Sequence, residues 1–320
     1  MLRHSALFII HFSLALCALN ALNAQSAQNA KSAPELSFLV IGDWGVRPTS
    51  KNAAHQHAVA RQMGATAAKI NSRFVLTVGD NFQSSEGVPS ADSPLWKSVF
   101  EDVYAAPSLQ TPWYPALGNH DYDGEPQAQI DYTKRSKRWR LNAPYYTWTE
   151  TVDADTTVQF FVLDSTPLIE KYASGSRFEK RGRSRPDPRV QIAWLSRALA
   201  ASKAKWKIVA AHHPVYSGGP MHGDNADIKK HIQPLLHKHG VQIYLGGHVH
   251  NFQHLKKDNF PVNYFVIGSG ALLRPAGKHR YEKFAQGNTP GFAAITVKRD
   301  TIEVRFVDAT GKVFYKTEVP

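Results

Sequence analysis

Residues 241–250 of the chain read VQIYLGGHVH, an apolar β-type run that stops at two glycines and then presents His248 and His250. Glycine lets a backbone turn sharply and approach a ligand closely. In open α/β sheets, binding sites form beyond the carboxyl ends of the strands. This stretch therefore predicts a buried strand that ends in a ligand-binding turn.

The same arrangement follows four other β-type runs. They are 36–41 before Gly42-Asp43, 74–78 before Gly79-Asp80, 113–117 before Gly118-Asn119-His120-Asp121, and 207–211 before His212-His213-Pro214. Helical patterns separate the runs, over residues 52–70, 95–104, 189–202 and 226–239, and from about residue 262 the chain is mainly strands. This order predicts one α/β domain whose later strands complete a second sheet.

Composition excludes several classes of protein. Hydrophobic residues make up 42% and charged residues 20% of the 320 residues, so disorder, collagen and coiled coil do not describe the whole chain. Cys17 is the one cysteine, which excludes an intramolecular disulfide and a zinc site built from several thiolates. The formal net charge of +12, from 38 basic against 26 acidic residues, suits anionic substrates.

The N-terminal residues have the pattern of an export signal. Arg3 gives a basic start, an apolar run extends over residues 6–19, and Leu22-Asn23-Ala24 is an acceptable cleavage site. The apolar run is short for a membrane anchor, which needs about 20 residues. We therefore expect an exported protein, periplasmic or secreted, that is monomeric and free of the membrane after cleavage. The expected organisation is a signal peptide over 1–24, a polar linker over 25–35 and a domain over 36–320.

Six side chains at the strand ends could hold metal ions: Asp43, Asp80, Asn119, His212, His248 and His250. They are too many for one four-coordinate ion and suit two ions that share a carboxylate. Nitrogen and oxygen ligands favour Zn, Mn or Fe over copper or a Mg or Ca cage. The alternative is a set of separate turns, because Gly-Asp is a common turn pair and a single histidine is more often structural. Five such motifs in order, each after a β-type run, favour the metal site.

These motifs resemble those of the calcineurin-type metallophosphoesterases, and within them the small, tartrate-resistant type of purple acid phosphatase. The family pattern is DxG, GDxxY, GNH[DE], VxxH and GHxH, and residues 100–121, 134–146 and 210–217 are also similar. The resemblance covers about residues 36–320. It implies the α/β metallophosphoesterase fold, a two-sheet β-sandwich flanked by helices in four layers, αββα.

The resemblance also implies a role for each strand-end residue. Asp43 and His250 correspond to ligands of an iron-type site, and Asp80 corresponds to the bridging carboxylate. The ligands of the divalent site correspond to Asn119, His212 and His248.

Two histidines correspond to substrate-side residues. In the family, the counterpart of His120 holds phosphate and assists the leaving group, which suits an imidazole beside two cations and an anion. His222, in the loop GGPMHGDN, is either a second catalytic histidine or a solvated loop residue.

One position departs from the family pattern. Gln83 replaces the tyrosine of GDxxY, the phenolate that binds ferric iron and gives the purple colour. A neutral amide oxygen is a poorer ligand for a trivalent ion, so we expect no purple band and a weaker preference for Fe(III). Two metal ions per chain are still expected, Fe with Zn, Mn or Fe, or two divalent ions. Tyr104 is a candidate substitute for the missing phenolate.

The function that the resemblance implies is an acid-type phosphatase, which hydrolyses phosphomonoesters through a metal-bound hydroxide. The implied substrates are nucleotides, aryl or sugar phosphates, and phosphoproteins, and no nucleic-acid recognition motif is present. Two alternatives remain open. One is a phosphodiesterase or nucleotidase on the same fold, and the other is a catalytically silent scaffold, for which Gln83 is the support.

A basic segment, EKYASGSRFEKRGRSRPDPR, covers residues 170–189. Its Gly, Ser, Pro and basic residues predict an exposed loop. The loop could be a protease-sensitive lid, as in the small-type enzymes, a basic rim that attracts anionic substrates, or an ordinary solvated loop.

Overall fold

The strand Leu36–Ile41 shows why this sequence forms layers. Phe38 and Val40 point into one apolar core, whereas Leu39 and Ile41 point into another on the opposite face. A strand that is apolar on both faces has to be covered on both sides. The structure is a computed structural model, and it describes residues 34–83, 87–173, 178 and 182–320.

The first sheet combines three parallel strands from the N-terminal half with three antiparallel strands from the C-terminus. The strands are β1 (Leu36–Ile41), β2 (Val75–Thr77), β3 (Trp113–Pro115), β11 (Gly291–Val297), β12 (Ile302–Asp308) and β13 (Val313–Val319). Their order in the sheet is β13-β12-β11-β1-β2-β3, in which β1, β2 and β3 run parallel to one another.

The second sheet has a parallel centre, in which β5, β6, β7 and β9 are neighbours. Its order is β10-β8-β9-β7-β6-β5-β4, and the strands at its edges pair in antiparallel fashion. The strands are β4 (Tyr146–Thr151), β5 (Thr157–Val162), β6 (Trp206–Ala210), β7 (Ile243–Gly246), β8 (Phe252–Lys256), β9 (Asn263–Ile267) and β10 (Glu282–Gln286).

Helices cover the outer face of each sheet. The helices are α1 (Ala53–Ile70), α2 (Pro126–Tyr132), α3 (Pro188–Ala201), α4 (Ala226–His231) and α5 (Gln233–Lys238). Val59 and Met63 of α1 pack on the first sheet, and Leu195 of α3 and Leu236 of α5 pack on the second. A π-helix spans Trp96–Glu101, and 3₁₀ turns span Pro107–Leu109, Asp121–Asp123, Thr166–Leu168 and Glu170–Tyr172. The expected α/β architecture of two sheets flanked by helices is confirmed.

Two details differ from the sequence-based expectation. The helix expected over 226–239 is two helices, because Pro234 lies in the first turn of α5, where its missing N–H cannot continue the helix before it. The strands β4, β8 and β10 are additional to those expected.

The topology brings the motifs together. β1, β2 and β3 of one sheet and β6 and β7 of the other each lead directly into one of the five strand-end motifs. Leu36–Pro320 form one compact unit. In the part of the chain that the structure describes, no helix is both long and apolar enough to span a membrane. The expected signal peptide, residues 1–24, and most of the expected linker, 25–35, lie outside the described residues.

Candidate metal centre

Four of the predicted ligands have an unusual backbone conformation. The φ angles of Asp43, Asp80, His248 and His250 are 55°, 51°, 71° and 57°. This left-handed region is unfavourable for residues with a side chain, at about 1–3 kcal/mol each, and residues held there concentrate at functional sites. The strain therefore marks the ends of β1, β2 and β7 as the candidate site.

Two glycines allow the ligand-bearing loops to touch. A Cβ on Gly118 would lie 2.3 Å from Oδ1 of Asp80, and a Cβ on Gly247 would lie 2.7 Å from Oδ2 of Asp43. Any larger residue would push the two carboxylates out of place.

His212 is the centre of one cluster of potential ligand atoms. Its Nδ1 donates to the carbonyl of Val78 at 2.9 Å, so in the neutral imidazole, the form that binds a metal, the lone pair is on Nε2. That Nε2 lies 3.2 Å from Oδ1 of Asn119, 3.3 Å from Oδ2 of Asp80 and 3.3 Å from Nδ1 of His248. Several acceptor atoms thus converge on one point, which is the arrangement a cation requires.

A second cluster forms around Asp43. Its Oδ1 lies 3.2 Å from Nε2 of His250, and its Oδ2 accepts a hydrogen bond from the backbone N–H of His248 at 2.9 Å. The ligand atoms of Asp43, Asp80 and His250 all lie within 4.8 Å of one another. Asp80 faces both clusters, as a bridging carboxylate would.

The buried carboxylates of the two clusters favour a positive charge beside them. Burial alone would raise the pKa of Asp80, but the neighbouring His212 and His120 hold it below its usual range. Burial alone would lower the pKa of His212, but Asp80 and Asp43 raise it to about 9. The buried carboxylates thus stabilise a cation here, and the residues present fit two metal ions.

Gln83 lies at the second cluster. Its Nε2 is 3.2 Å from Oδ1 of Asp43, and the side chain is half-buried.

Tyr104 does not take the place of the missing phenolate. It is fully buried in an aromatic cluster with Trp44 and Trp113, and burial raises the pKa of its phenol well above its usual range.

His120 lies at the edge of the clusters with 39% of its side chain exposed. Its backbone N–H donates to Oδ1 of Asp80 at 2.8 Å, and its Nδ1 lies 2.8 Å from Oδ2 of Asp123. A carboxylate beside Nδ1 keeps the proton on that nitrogen, so Nε2 can act toward a substrate. Asp123 was not among the residues expected from the sequence.

His222 contacts the first cluster. Its ring centroid lies 4.4 Å from that of His248, and Nη1 of Arg274 donates to its Nε2 at 2.8 Å. Burial and then Arg274 lower the pKa of His222 to about 4. It is therefore a neutral, half-buried imidazole beside the site, and Arg274 is a partner that the motifs did not indicate.

His213 is a buried histidine that sequence reasoning passed over. Its Nδ1 lies 2.8 Å from Oγ of Ser165, its Nε2 lies 3.3 Å from Oη of Tyr172, and its ring is 4.5 Å from that of His248. Burial, followed by the charge of His212, holds its pKa well below the usual range. Both ring nitrogens have protein partners, so His213 supports the ligand histidines. The sequence feature that could have indicated this role is the pair of adjacent histidines, His212-His213, directly after β6.

Asp121 connects two of the ligand-bearing loops. Its Oδ2 accepts from the N–H groups of Gly118 at 2.7 Å and Asn81 at 3.2 Å. Its Oδ1 accepts from the N–H of Phe82 at 3.0 Å and from Nε2 of Gln129 at 2.7 Å. The carboxylate therefore fixes the loops after β2 and β3, which carry Asp80, Asn119 and His120.

The basic segment 170–189 is described in part. Phe178 is buried against Tyr122, and Arg183 donates to the carbonyl of Tyr122 at 2.8 Å. Arg185 pairs with Glu170 at 3.0 Å. These contacts contradict a fully solvated loop. Residues 174–177 and 179–181 lie outside the described part, so the lid and the basic rim both stay open as predictions.

The chain is similar to several known proteins. A family model described as calcineurin-like phosphoesterase matches residues 36–252. Tartrate-resistant acid phosphatase type 5 of Oryctolagus cuniculus is 36% identical over 302 residues, which cover 90% of this chain and 92% of the rabbit protein. Purple acid phosphatase 3 of Arabidopsis thaliana is 34% identical over 291 residues, covering 88% and 76%.

A solved structure supports the fold alone. GAP50 of Plasmodium, described as the anchor in the inner membrane complex, matches with a TM-score of 0.75 at 23% identity and covers 89% of this chain and 88% of its own. The family model and the two phosphatase relatives show the family as well as the fold. The chain therefore belongs to the calcineurin-like phosphoesterase family and is a relative of its tartrate-resistant and purple acid phosphatases.

Proposed function

We propose that the chain is an exported acid-type phosphatase that hydrolyses phosphomonoesters at a centre of two metal ions. The observation that carries the proposal is the convergence of acceptor atoms on Nε2 of His212, beside a second cluster that shares Asp80. The proposed substrates are small phosphate esters, with an aryl, sugar or nucleoside leaving group, or phosphoproteins.

Six residues are proposed to hold the metals: Asp43, Asp80, Asn119, His212, His248 and His250. Two bound cations would neutralise the charge of the phosphoryl oxygens and activate water as the nucleophile. We propose Fe with Zn, Mn or Fe as the metals, since the ligands are nitrogen and oxygen. Gln83 disfavours a trivalent ion at the Asp43 and His250 cluster.

His120 is the proposed proton donor. With Nδ1 held by Asp123, the imidazolium form of His120 can deliver its Nε2 proton to the alcohol oxygen as the phosphorus–oxygen bond breaks, which leaves the neutral imidazole with its proton on Nδ1. His222 is proposed to hold the substrate as a neutral imidazole, because Arg274 donates to one nitrogen and leaves the other as a donor.

A catalytically silent scaffold is the second candidate, and Gln83 is the observation that favours it. A site that has lost its function would be expected to lose more than one residue. Here the six proposed ligands and the His120 and Asp123 pair are all present, which favours the enzyme.

The decisive comparison uses one leaving group in two esters. Phenyl phosphate and diphenyl phosphate would be given to the metal-loaded protein across pH 4 to 9. We expect turnover of the monoester to exceed that of the diester. Faster turnover of the diester would indicate a phosphodiesterase, and no turnover of either by protein with two bound metals would indicate the scaffold.

Export is part of the proposal and rests on the N-terminal sequence. Arg3, the apolar run over 6–19 and Ala24 form a cleavable signal. Sequencing the N-terminus of the mature protein tests this, and a start at Gln25 is expected. Retention of Met1 in the exported fraction would contradict it.

A further inference from the structure

A pocket of about 200 Å³ lies between the first turn of α3, the loops that follow β3 and β5, and the residues before β4. Its apolar wall consists of four prolines, the rings of Tyr122 and Tyr145, and Val190, which is 57% exposed. The described residues that line it include none of the proposed metal ligands, and neither His120 nor His222. The pocket is therefore separate from the candidate metal centre.

The polar wall of this pocket has one side chain with binding capacity left. It consists of Asp164, Asp187 and Gln191. Nε2 of Gln191 donates to the carbonyl of Asp164 at 2.8 Å, and its Oε1 accepts from the N–H of Asp164 at 2.9 Å. Asp187 forms an ion pair with Arg189 at 2.8 Å. The carboxyl group of Asp164 is the remaining one.

Asp164 is a buried carboxyl group without a positive partner. Its exposed fraction is 2%. The hydroxyl of Tyr122 donates to its Oδ2 at 2.5 Å and the N–H of Thr166 donates to its Oδ1 at 3.2 Å, and within the described residues it forms no ion pair. Each oxygen can accept a further hydrogen bond. Because a buried carboxylate is unfavourable without a cation, burial raises its pKa to about 7. A positively charged ligand would supply the missing charge.

The surroundings of the pocket do not supply that charge. No lysine, arginine or histidine is among the described residues that line it. Two nearby guanidinium groups are engaged elsewhere, since Arg183 pairs with Glu125 and Arg185 pairs with Glu170. The lining therefore favours a cation over an anion.

The rings and the size of the pocket indicate the kind of cation. The face of a tyrosine ring attracts an organic cation. The two rings are fixed by packing, with Tyr122 on Phe178 at 5.1 Å and Tyr145 on Trp194 at 5.0 Å between ring centroids. A preformed site loses little free energy on ordering. A cavity of roughly 150 Å³ is enough for benzene, so this one accepts an ammonium ion with one compact apolar group.

We propose that this pocket binds a small organic ammonium ion, with its nitrogen at the carboxylate of Asp164 and its apolar part against the tyrosine rings. The proposal does not depend on the phosphatase function, because the pocket uses none of the proposed metal ligands. A bound ion would contact the loop that carries His120, since Tyr122 follows that histidine by two residues.

The test compares benzylammonium with benzyl alcohol, which has the same ring and no charge. Both would be titrated into metal-loaded protein at pH 8, above the pKa of Asp164, with binding followed by ligand-observed NMR. We expect benzylammonium to bind about tenfold more tightly, since hydrogen bonds between charged groups are roughly twice as strong as neutral ones. Equal affinities, or no binding of benzylammonium, would overturn the proposal.

Variants of the pocket locate the binding. Asp164→Asn should weaken benzylammonium about tenfold and benzyl alcohol less than twofold. Tyr145→Leu keeps the carboxylate and should weaken benzylammonium about threefold, through loss of a ring face, so it serves even where Asp164→Asn does not fold. Asp258→Asn, at a carboxylate that is 86% exposed, is the matched control and should change neither affinity. Unchanged binding of benzylammonium in the pocket variants would contradict the assignment.

Inorganic phosphate separates this pocket from the metal centre. Saturating phosphate should occupy the metals and leave the affinity for benzylammonium unchanged within about twofold. Competition between the two would place the cation at the metal centre and overturn the proposal. Absent phosphatase activity with a retained preference for benzylammonium would instead refute the phosphatase function alone.

Discussion

The amide Nε2 of Gln83 lies 3.2 Å from Oδ1 of Asp43, so a neutral side chain contacts the carboxylate at the position that corresponds to the phenolate of purple acid phosphatases. An amide can offer a metal only an uncharged oxygen. A phenolate would add a negative charge, which stabilises a trivalent ion. With Gln83 at this position, we therefore expect the site to prefer Fe(III) less strongly than a site with a phenolate would.

Restoring the phenolate should restore the colour. Gln83→Tyr loaded with iron is expected to show a visible charge-transfer band, because a phenolate then binds Fe(III). The wild type and Gln83→Phe, the matched control, should lack the band at the same iron content. Absorption spectra with metal analysis check this. A strong band in the wild type, or none in iron-loaded Gln83→Tyr, would contradict the account.

Replacing His120 should affect turnover and spare the metals. His120→Asn is expected to lower kcat by about 10²- to 10⁴-fold, the usual contribution of a positioned acid or base. The backbone N–H that contacts Asp80 is kept, so the metal content should be unchanged. Asp123→Asn should cause a smaller loss, because it removes only the partner of Nδ1. Full activity in His120→Asn, or loss of bound metal, would refute the role.

Asp121 should control the metal centre through the loops that it joins. In Asp121→Asn, an amide NH₂ replaces one carboxylate oxygen, and because each of these oxygens accepts at least two hydrogen bonds, donors then face each other. We expect metal affinity to fall by about 10- to 100-fold, as for other residues that orient ligands. Competition with a chelator measures it. Asp131→Asn, on α2, serves as the control and should bind metal normally. Unchanged affinity in Asp121→Asn would show that the loops hold their shape without it.

Asp164 should make stability depend on pH. Burial raises its pKa to about 7, even though Tyr122 donates to its Oδ2 at 2.5 Å. The pKa of an aspartate in an unfolded chain is about 3.9. Between that pH and the folded pKa of about 7, the folded protein therefore holds a proton that the unfolded chain releases. The free energy of unfolding should therefore fall as the pH rises from about 4 to 7, by at most about 4 kcal/mol.

Asp164→Asn isolates this effect, because its amide stays neutral. Its stability relative to the wild type should rise between pH 4 and 8, as measured by denaturant unfolding. Asp258→Asn, at an exposed carboxylate, should show no such trend. A constant difference between Asp164→Asn and the wild type across this range would contradict the raised pKa.

Much of the site could be predicted because its residues follow strands directly. The runs before Asp43, Asp80, Asn119 and His212 are apolar enough to be recognised, and parallel strands bring their carboxyl ends to one edge. The strand β10 could not be recognised, because its residues EKFAQ lie at a sheet edge and are mostly polar.

The supporting contacts could not be predicted, because they join residues that are distant in the sequence. Arg274 lies 52 residues from His222, and Asp121 lies 40 residues from Asn81. Each contact depends on how two loops pack in three dimensions. A pattern of neighbouring residues along the chain carries no signal for such pairs.

Two metal ions on one chain are proposed to support phosphomonoester hydrolysis. The most direct test is to add Zn, Mn or Fe to chelator-stripped protein and record the initial rate of phenyl phosphate hydrolysis at each metal equivalent. We expect the rate to rise to a plateau at about two equivalents per chain, since Asp80 contacts both clusters. A plateau at one equivalent, or no hydrolysis at any metal content, would contradict it.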